Sequence, residues 1–545
     1  MQREVKIGLG VVLVGAVVFA AVRFGAGPAA KSGLDLALAN LPPGWAATHG
    51  AITYNALSGD ARVDDLLITH DDQIVFSAAS VLASGIAGVG PTSPPKRIGH
   101  ITIKNAGGIY VHHIGSLEIN GLEVENIRRL IDPAFYPNGR PASDARLPLL
   151  SSLDGTDLAL HVDLPAMPVA PGVPPLTSTD VHVAEWHMDS LSARQFPAPP
   201  KADSFQDWAF LAALGRDFGY GSLSARDVTK IMPGYGRVRV GAEDVAGMQD
   251  GRIHSAQIEN VTYTPESMDR PSAFSLNLDR AALRDMDLSR ALDMLPAMMD
   301  DPHANASRFN NSIRIGGFEM GGGRLDAAHA PLITLSSVTG SATYQADGTQ
   351  AGAVTVRGLK IMYTGRDTAP AVALALQRFG KSDFNMDVDE GGTYNPQDGR
   401  LKLTQADFTL HGLGALRFTA DVDGLQNSGA NPGDRLAMLR AVHLYTASLR
   451  WDDASLTDRI FHLLSLQSGK TETQLRAQLG IPVATLGFMM PEQPDAAAQI
   501  NAFLDGRHRL SITLTPPHPP VSLGDVASAS PTEKAALLGV VIKGD

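Results

Sequence analysis

From Leu34 onward, apolar residues alternate with polar ones in short stretches broken by Gly, Asp and Asn. A period of two puts the apolar side chains on one side of an extended chain, so the pattern predicts strands with one buried face. Ile101 and Ile103, Leu117 and Ile119, Leu158 with Leu160 and Val162, Val238 with Val240, and Phe274 with Leu276 and Leu278 all follow it. The clearest run lies between Gly391 and Leu425, where Leu401 and Leu403, then Phe408 and Leu410, then Leu416, Phe418, Ala420 and Val422 alternate. Turn signals at Asn395 to Gly399 and Gly412 to Gly414 separate these runs. Connections this short cannot make parallel crossovers, so three antiparallel strands in a meander are expected.

Three hairpins look alike. Ile52-Thr53-Tyr54-Asn55 leads through Gly59-Asp60 to a second strand, Ala342-Thr343-Tyr344 through Asp347-Gly348, and Thr393-Tyr394-Asn395 through Asp398-Gly399. Their irregular spacing defines no fixed-period solenoid or propeller. Helical spacing of apolar residues predicts helices at 204–218, 284–299, 370–379, 434–443, 455–466, 471–479 and 496–503, the last followed by a strand through Leu510, Ile512 and Leu514. The Pro-rich stretches 165–175 and 196–201 mark a boundary between β units.

The N-terminus has a different pattern. Arg3 and Lys6 precede an uncharged run of 16 residues from Ile7 to Val22, closed by Arg23. A spanning helix needs about 20 residues, which Val5 and Phe24 supply while Lys6 and Arg23 snorkel. The expectation is a retained anchor rather than a cleaved signal, although small residues at Val18-Phe19-Ala20 and Gly27-Pro28-Ala29 offer cleavage positions. The basic residues before the run favour a cytoplasmic N-terminus and an exported body.

The fold class expected is therefore mostly β with interspersed helices (α+β), in twisted antiparallel sheets of repeated hairpins behind one N-terminal transmembrane helix. The expected domains are an anchor and linker at 1–31, a first β-rich unit at 32–200, a second with covering helices at 201–430, and a C-terminal α+β unit at 431–545.

Composition narrows the function. A hydrophobic fraction of 44% with 19% charged residues suits a folded body. A net charge of -12 without a basic run argues against nucleic acid, because phosphate binding needs clustered Lys and Arg. The absence of cysteine excludes disulfides, thiolate nucleophiles and Cys-based metal sites.

The polar clusters have plain structural readings. Adjacent His112 and His113 on a strand point to opposite faces, and His182 with His187 makes no recognised ligand set. Asp383, Asp387, Asp389 and Glu390 lack the spacing of a calcium loop and read as an acidic turn before a strand. Gly316-Gly317 and Gly321-Gly322-Gly323 lack the Lys-Ser or Lys-Thr of a phosphate cradle and read as turns or bulges. Trp451-Asp452-Asp453, with Ser455, Asp458 and Arg459, reads as a helix cap in which Ser455 or Asp453 accepts backbone N–H bonds. No catalytic, cofactor-binding or metal-ligating residue is assigned.

Residues 52–68 (ITYNALSGDARVDDLLI), after the apolar run and Leu41-Pro42-Pro43-Gly44-Trp45, resemble the start of the AsmA-like envelope proteins and their YdgA-like relatives. Residues 391–425 and 444–471 resemble proteobacterial members of that group. The resemblance covers about a third of the chain. It implies an inner-membrane helix and a periplasmic β body presenting an apolar groove to lipid, with no catalytic residues. The chain is far shorter than the large AsmA-like proteins, so local lipid handling or a structural role is implied rather than a bridge between membranes.

The expected function is thus a non-enzymatic, single-pass inner-membrane protein, anchored through residues 7–22, whose periplasmic body contacts a phospholipid or acyl chain and supports envelope organisation. A scaffold for an envelope or secretion assembly, pairing with an envelope protein partner, and an envelope hydrolase acting on lipid or glycan are the alternatives. No cofactor is expected. The anchor is checked by cell fractionation: the full chain should sediment with the inner membrane, and a body found in the cytoplasm would overturn the assignment.

Overall fold

The structure, a computed structural model, describes residues 44–544 other than 56–57, 89–94, 109–110, 142–143, 164–175, 199–207, 268–272, 302–311, 328–329, 363–382, 426–440, 479–482, 484–489, 491–492 and 507. The N-terminal apolar run and the helices expected at 370–379 and over most of 434–443 lie outside the described residues. Among the described residues no helix is long and apolar enough to cross a membrane.

Strands dominate, as the alternation predicts. They are β1 (Trp45–Thr48), β2 (Ile52–Asn55), β3 (Asp60–His70), β4 (Gln73–Ala87), β5 (Arg97–Gly107), β6 (Val111–Leu122), β7 (Leu147–Pro148), β8 (Ser152–Asp163), β9 (Ser178–Asp189), β10 (Ser192–Ala193), β11 (Phe218–Met232), β12 (Gly236–Gln249) and β13 (Arg252–Pro265). There follow β14 (Phe274–Asp287), β15 (Arg314–Ala327), β16 (Ala330–Tyr344), β17 (Gln350–Met362), β18 (Asp383–Asn395), β19 (Arg400–Leu410), β20 (Gly414–Asp423), β21 (His443–Asp453), β22 (Arg509–Leu514), β23 (Val521–Ser522) and β24 (Val540–Gly544). The helices include α1 (Val124–Ile131), α2 (Trp208–Asp217), α3 (Ser289–Asp300), α4 (Leu456–Ser468), α5 (Ala496–Leu504), α6 (Leu523–Ser528) and α7 (Pro531–Leu538), and residues 472–478 are helical as expected.

The chain forms two compact units, residues 1–267 with 280–315, and residues 268–279 with 316–545. In the first, β3, β4, β5, β6, β8, β9, β11, β12 and β13 pair in that order, with the short β1 and β2 sharing the outer edge of β3. In the second, β15 to β22 pair consecutively and β24 follows β22. All of these pairs are antiparallel. The meander read from residues 391–425 is present, as are the three similar hairpins, which close at the pairs Asn55 with Asp60, Tyr344 with Gln350, and Asn395 with Arg400.

Several strands are longer than their apolar runs suggest, because the alternation changes phase within them. Val63 and Leu66 are both buried, as are Ile98 with Ile101 and Ile103 with Ala106. At each break two consecutive residues turn outward, and on alternate strands of the sheet one break contains a left-handed residue: Asp65 on β3, Asn105 on β5, Asp157 on β8, Asp227 on β11 and Asn260 on β13. Asp and Asn tolerate this conformation better than other side-chain-bearing residues. The flanking pairs place these residues in one row with small partners on the strands between: Ala79, Gly115, Ala184 and Gly241. A Cβ on Gly115 or Gly241 would meet the Cβ of Asp157 or Asn260 at 3.1 or 3.0 Å, which explains the small partner.

A second row lies six residues away (99 to 105, 115 to 121, 241 to 247), and here Gly85, Gly121, Ser190 and Gly247 are left-handed. Two outward residues at a corner lengthen the outer arc, so the first unit's sheet is creased twice with its apolar side inward. The outcome is a core of Val63, Leu66, Ile68, Val81, Ile98, Ile101 and Ile103, each at most 2% exposed.

Helix boundaries follow local capping. Residues 284–287, expected to be helical, finish β14 instead, since Asp287 accepts the backbone N–H of Ser289 (3.0 Å) and α3 starts there. At the other end of the chain β24 is paired, among the described residues, only with β22. Its outward N–H groups at Ile542 and Gly544 donate to the side-chain oxygens of Gln493 (2.9 Å) and Gln499 (3.1 Å), and Gln493 Nε2 donates to the Val540 carbonyl. The two glutamines thus occupy an edge that would otherwise template a further strand.

The crease is checked at Asp227. Replacement by Gly should leave thermal stability nearly unchanged, whereas Asp227→Val should cost about 2 kcal/mol, because a β-branched residue is strained in the left-handed region. Equal stability of the two variants in denaturant melts would refute the crease.

Candidate functional site

The second unit carries one apolar line across eight strands. Met320, Val338, Val356, Val388, Phe408, Leu416, Trp451 and Leu510 are successive cross-strand partners, so all eight share one face. At the usual strand spacing the line runs roughly 33 Å along the sheet. A second line beside it contains Phe318, Gly340, Val354, Glu390 and Ala406. A Cβ at Gly340 would strike the Phe318 ring, so glycine there lets the ring lie flat over the sheet.

Between β15 and β20 this face is partly buried at Val338, Val356, Val388 and Phe408 and buried at Ala406, and it is more open on β15 and β20 themselves. Met320, Phe318 and Leu416 are 38, 38 and 37% exposed, against at most 2% for the core of the first unit. Among the described residues no helix packs broadly on β15 to β20. The C-terminal end is closed: Phe503 of α5 packs on Trp451 with ring centroids 5.4 Å apart, and Leu523, Val526 and Leu538 of α6 and α7 cover Leu444 and Ala447.

The opposite face is polar and internally paired. Asp387 accepts the backbone N–H of Gly358 (2.7 Å) and faces His411 Nε2 (2.9 Å); these contacts, the backbone bond first, hold its carboxyl below the usual range. Asp389 is held down by Arg357 (2.6 Å) and by Thr355. The acidic cluster is therefore part of β18 and not a turn before it: Asp387 and Asp389 staple neighbouring strands, while Glu390 points to the apolar side. Gly316, Gly317 and Gly321 to Gly323 lie within β15, and Gly322 is left-handed with Asp279 so near that a Cβ would overlap its carboxylate.

Near Trp451, Asp453 accepts the backbone N–H of Thr457 (3.1 Å) and so caps α4. Ser455 does not; its hydroxyl donates to the Gly412 carbonyl (2.9 Å). Burial pushes the Asp452 carboxyl up, but Arg509 and Arg450 outweigh it and hold it low. Thr409 to Gly412, Asp452 to Ala454, His508 and Arg509 line a recess of about 580 Å³ at these strand ends.

The first unit's histidines are placed likewise. His113 and His182 approach the two oxygens of Asp157 (3.2 and 2.8 Å), His187 donates to Asp154 (2.5 Å), and His112 meets the edge of His161. Asp157 is held low, by His182 foremost. Asp154 also ends a chain of hydrogen bonds across the strands. Ser152 donates to Asp154 (3.1 Å) and accepts from Asn120 Nδ2 (2.9 Å), so Asn120 Oδ1 accepts from His100 Nδ1 (2.7 Å) and His100 Nε2 accepts from Thr102 (2.8 Å). Beside it Glu118, Asp154, Glu185, His187 and Arg226 line a recess of about 620 Å³. Among the described residues no set of three or more His, Asp or Glu is arranged to hold a metal ion.

In the sequence Glu390 is one of four acids with nothing to set it apart. Strand register alone separates it, since Val388 and Glu390 share a face that Asp387 and Asp389 do not. The pairing is checked with Arg357→Met, which should raise the Asp389 pKa toward its ordinary value in a carboxyl NMR titration. Because a lowered carboxyl pKa stabilises the fold above the unfolded pKa and is lost as pH falls through the folded value, the variant should also lose part of its stability at neutral pH. An unmoved Asp389 titration would rule the pairing out.

A family model described as an uncharacterized protein matches residues 407–545, the segment from β19 to β24 with the capping helices. No curated protein matches the chain.

Proposed function

We propose that this is a membrane-anchored periplasmic protein of the bacterial envelope that shelters acyl chains on the apolar face of its second unit and performs no chemistry. The carrying observation is the eight-residue line from Met320 to Leu510, half-exposed at its start and closed by α5 at its end. Its estimated length exceeds the reach of one acyl chain, about half of the ~30 Å hydrocarbon core of a bilayer.

Energetics fit handling rather than storage. A fully buried methylene gains about 0.8 kcal/mol, so about twelve methylenes half-covered by a sheet gain roughly 5 kcal/mol, half of what full burial in a bilayer gives. A lipid on this face is favoured over water and disfavoured relative to the membrane. The paired Arg357, Asp387, Asp389 and His411 of the polar face support a structural role there, because each is already engaged with a partner across the strands.

The reading is tested in cells with a photo-crosslinking amino acid at Phe408 or, as a control on the opposite face, at Thr409. Lipid adducts, identified by mass spectrometry of the full chain, are expected at 408 and not at 409. No lipid at either position, or equal yields at both, would reject it.

A further inference from the structure

Apart from Arg314 at the start of β15, Glu390 is the only charged side chain on the apolar face among the described residues of β15 to β20. Its cross-strand neighbours are Val354 and Ala406, with Gly340 and its overlying Phe318 beyond Val354, and Val388 precedes it on the same face. The carboxylate is exposed, and among the described residues of these strands the basic group on its face, Arg314, stands on β15, three strands away.

A charge in an apolar floor weakens the hydrophobic contact there unless the occupant supplies its complement. An anionic headgroup would meet a carboxylate with no cation beside it on that face. A zwitterionic headgroup brings an ammonium whose N–H donors suit both carboxylate oxygens, with its acyl chains along the apolar lines on either side. The geometry points to an amine-bearing phospholipid, of the ethanolamine class, as the lipid this face selects, with Glu390 as the headgroup-contacting residue. This rests on the acyl-chain reading above and adds to it a headgroup preference.

The test uses the full chain, carrying the photo-crosslinker at Val354 and reconstituted into vesicles of equal parts phosphatidylethanolamine and phosphatidylglycerol. Ethanolamine lipid should be enriched among the adducts by roughly two- to five-fold, the range a partly exposed ion pair yields. Glu390→Gln should abolish the enrichment without lowering the total adduct yield, and Glu390→Lys should reverse the preference toward phosphatidylglycerol. Since residue 390 is exposed on a strand, neither change should impair folding, and unchanged circular dichroism checks this. Adducts in equal proportion from the parent and the Gln variant would overturn the headgroup inference and leave the acyl-chain reading standing. No lipid adduct from position 354 or 408 would overturn both.

Discussion

The fold depends on keeping one side of long strands apolar while those strands turn corners. Plain alternation cannot do this, because a strand bent around a core needs more residues on its outer arc than on its inner one. The chain resolves the mismatch with left-handed Asp, Asn and Gly residues, each facing a small side chain on the next strand. Had the partners been large, the side chains would collide across the sheet; had the left-handed residues been β-branched, the backbone itself would resist. The creases therefore fix which residues can face inward at all.

The two sides of the sheets contribute differently. A fully buried Leu, Ile or Val is worth about 1.5–3 kcal/mol, and an exposed ion pair about 0–1 kcal/mol. Leu66, Ile68, Val81, Ile98 and Ile101 thus hold the first unit together far more firmly than the His-Asp and Arg-Asp pairs outside it. Those pairs act on register, because each joins particular positions on neighbouring strands. In the second unit the apolar side is partly buried over β15 to β20, and the proposed lipid contact rests on that surface.

Strand existence was plain in the sequence, strand length was not. Leu401 with Leu403, Phe408 with Leu410, and Leu416 to Val422 each alternate, and the turns contain the glycines expected of them, so β19 and β20 were legible apart from the register shift after Leu403. Strands such as β3 and β5 read as separate fragments, since Val63 and Leu66, or Ile103 and Ala106, are out of step. The signal that joins them was present: an apolar residue, any residue, Asp or Asn, then an apolar residue, at 63–66, 103–106 and 258–261. A helix predicted from 284 began at 289, because Asp287 caps it there and leaves the preceding residues to β14.

Sequence alone determined that the body is built of antiparallel strands with a polar and an apolar side, since side-chain direction along a strand has a period of two whatever surrounds it. Tertiary structure alone decided which acids, histidines and glycines stand together. Cross-strand partners are distant in sequence, and a shift of one residue in register would have put Glu390 among the staples and Asp389 on the apolar floor.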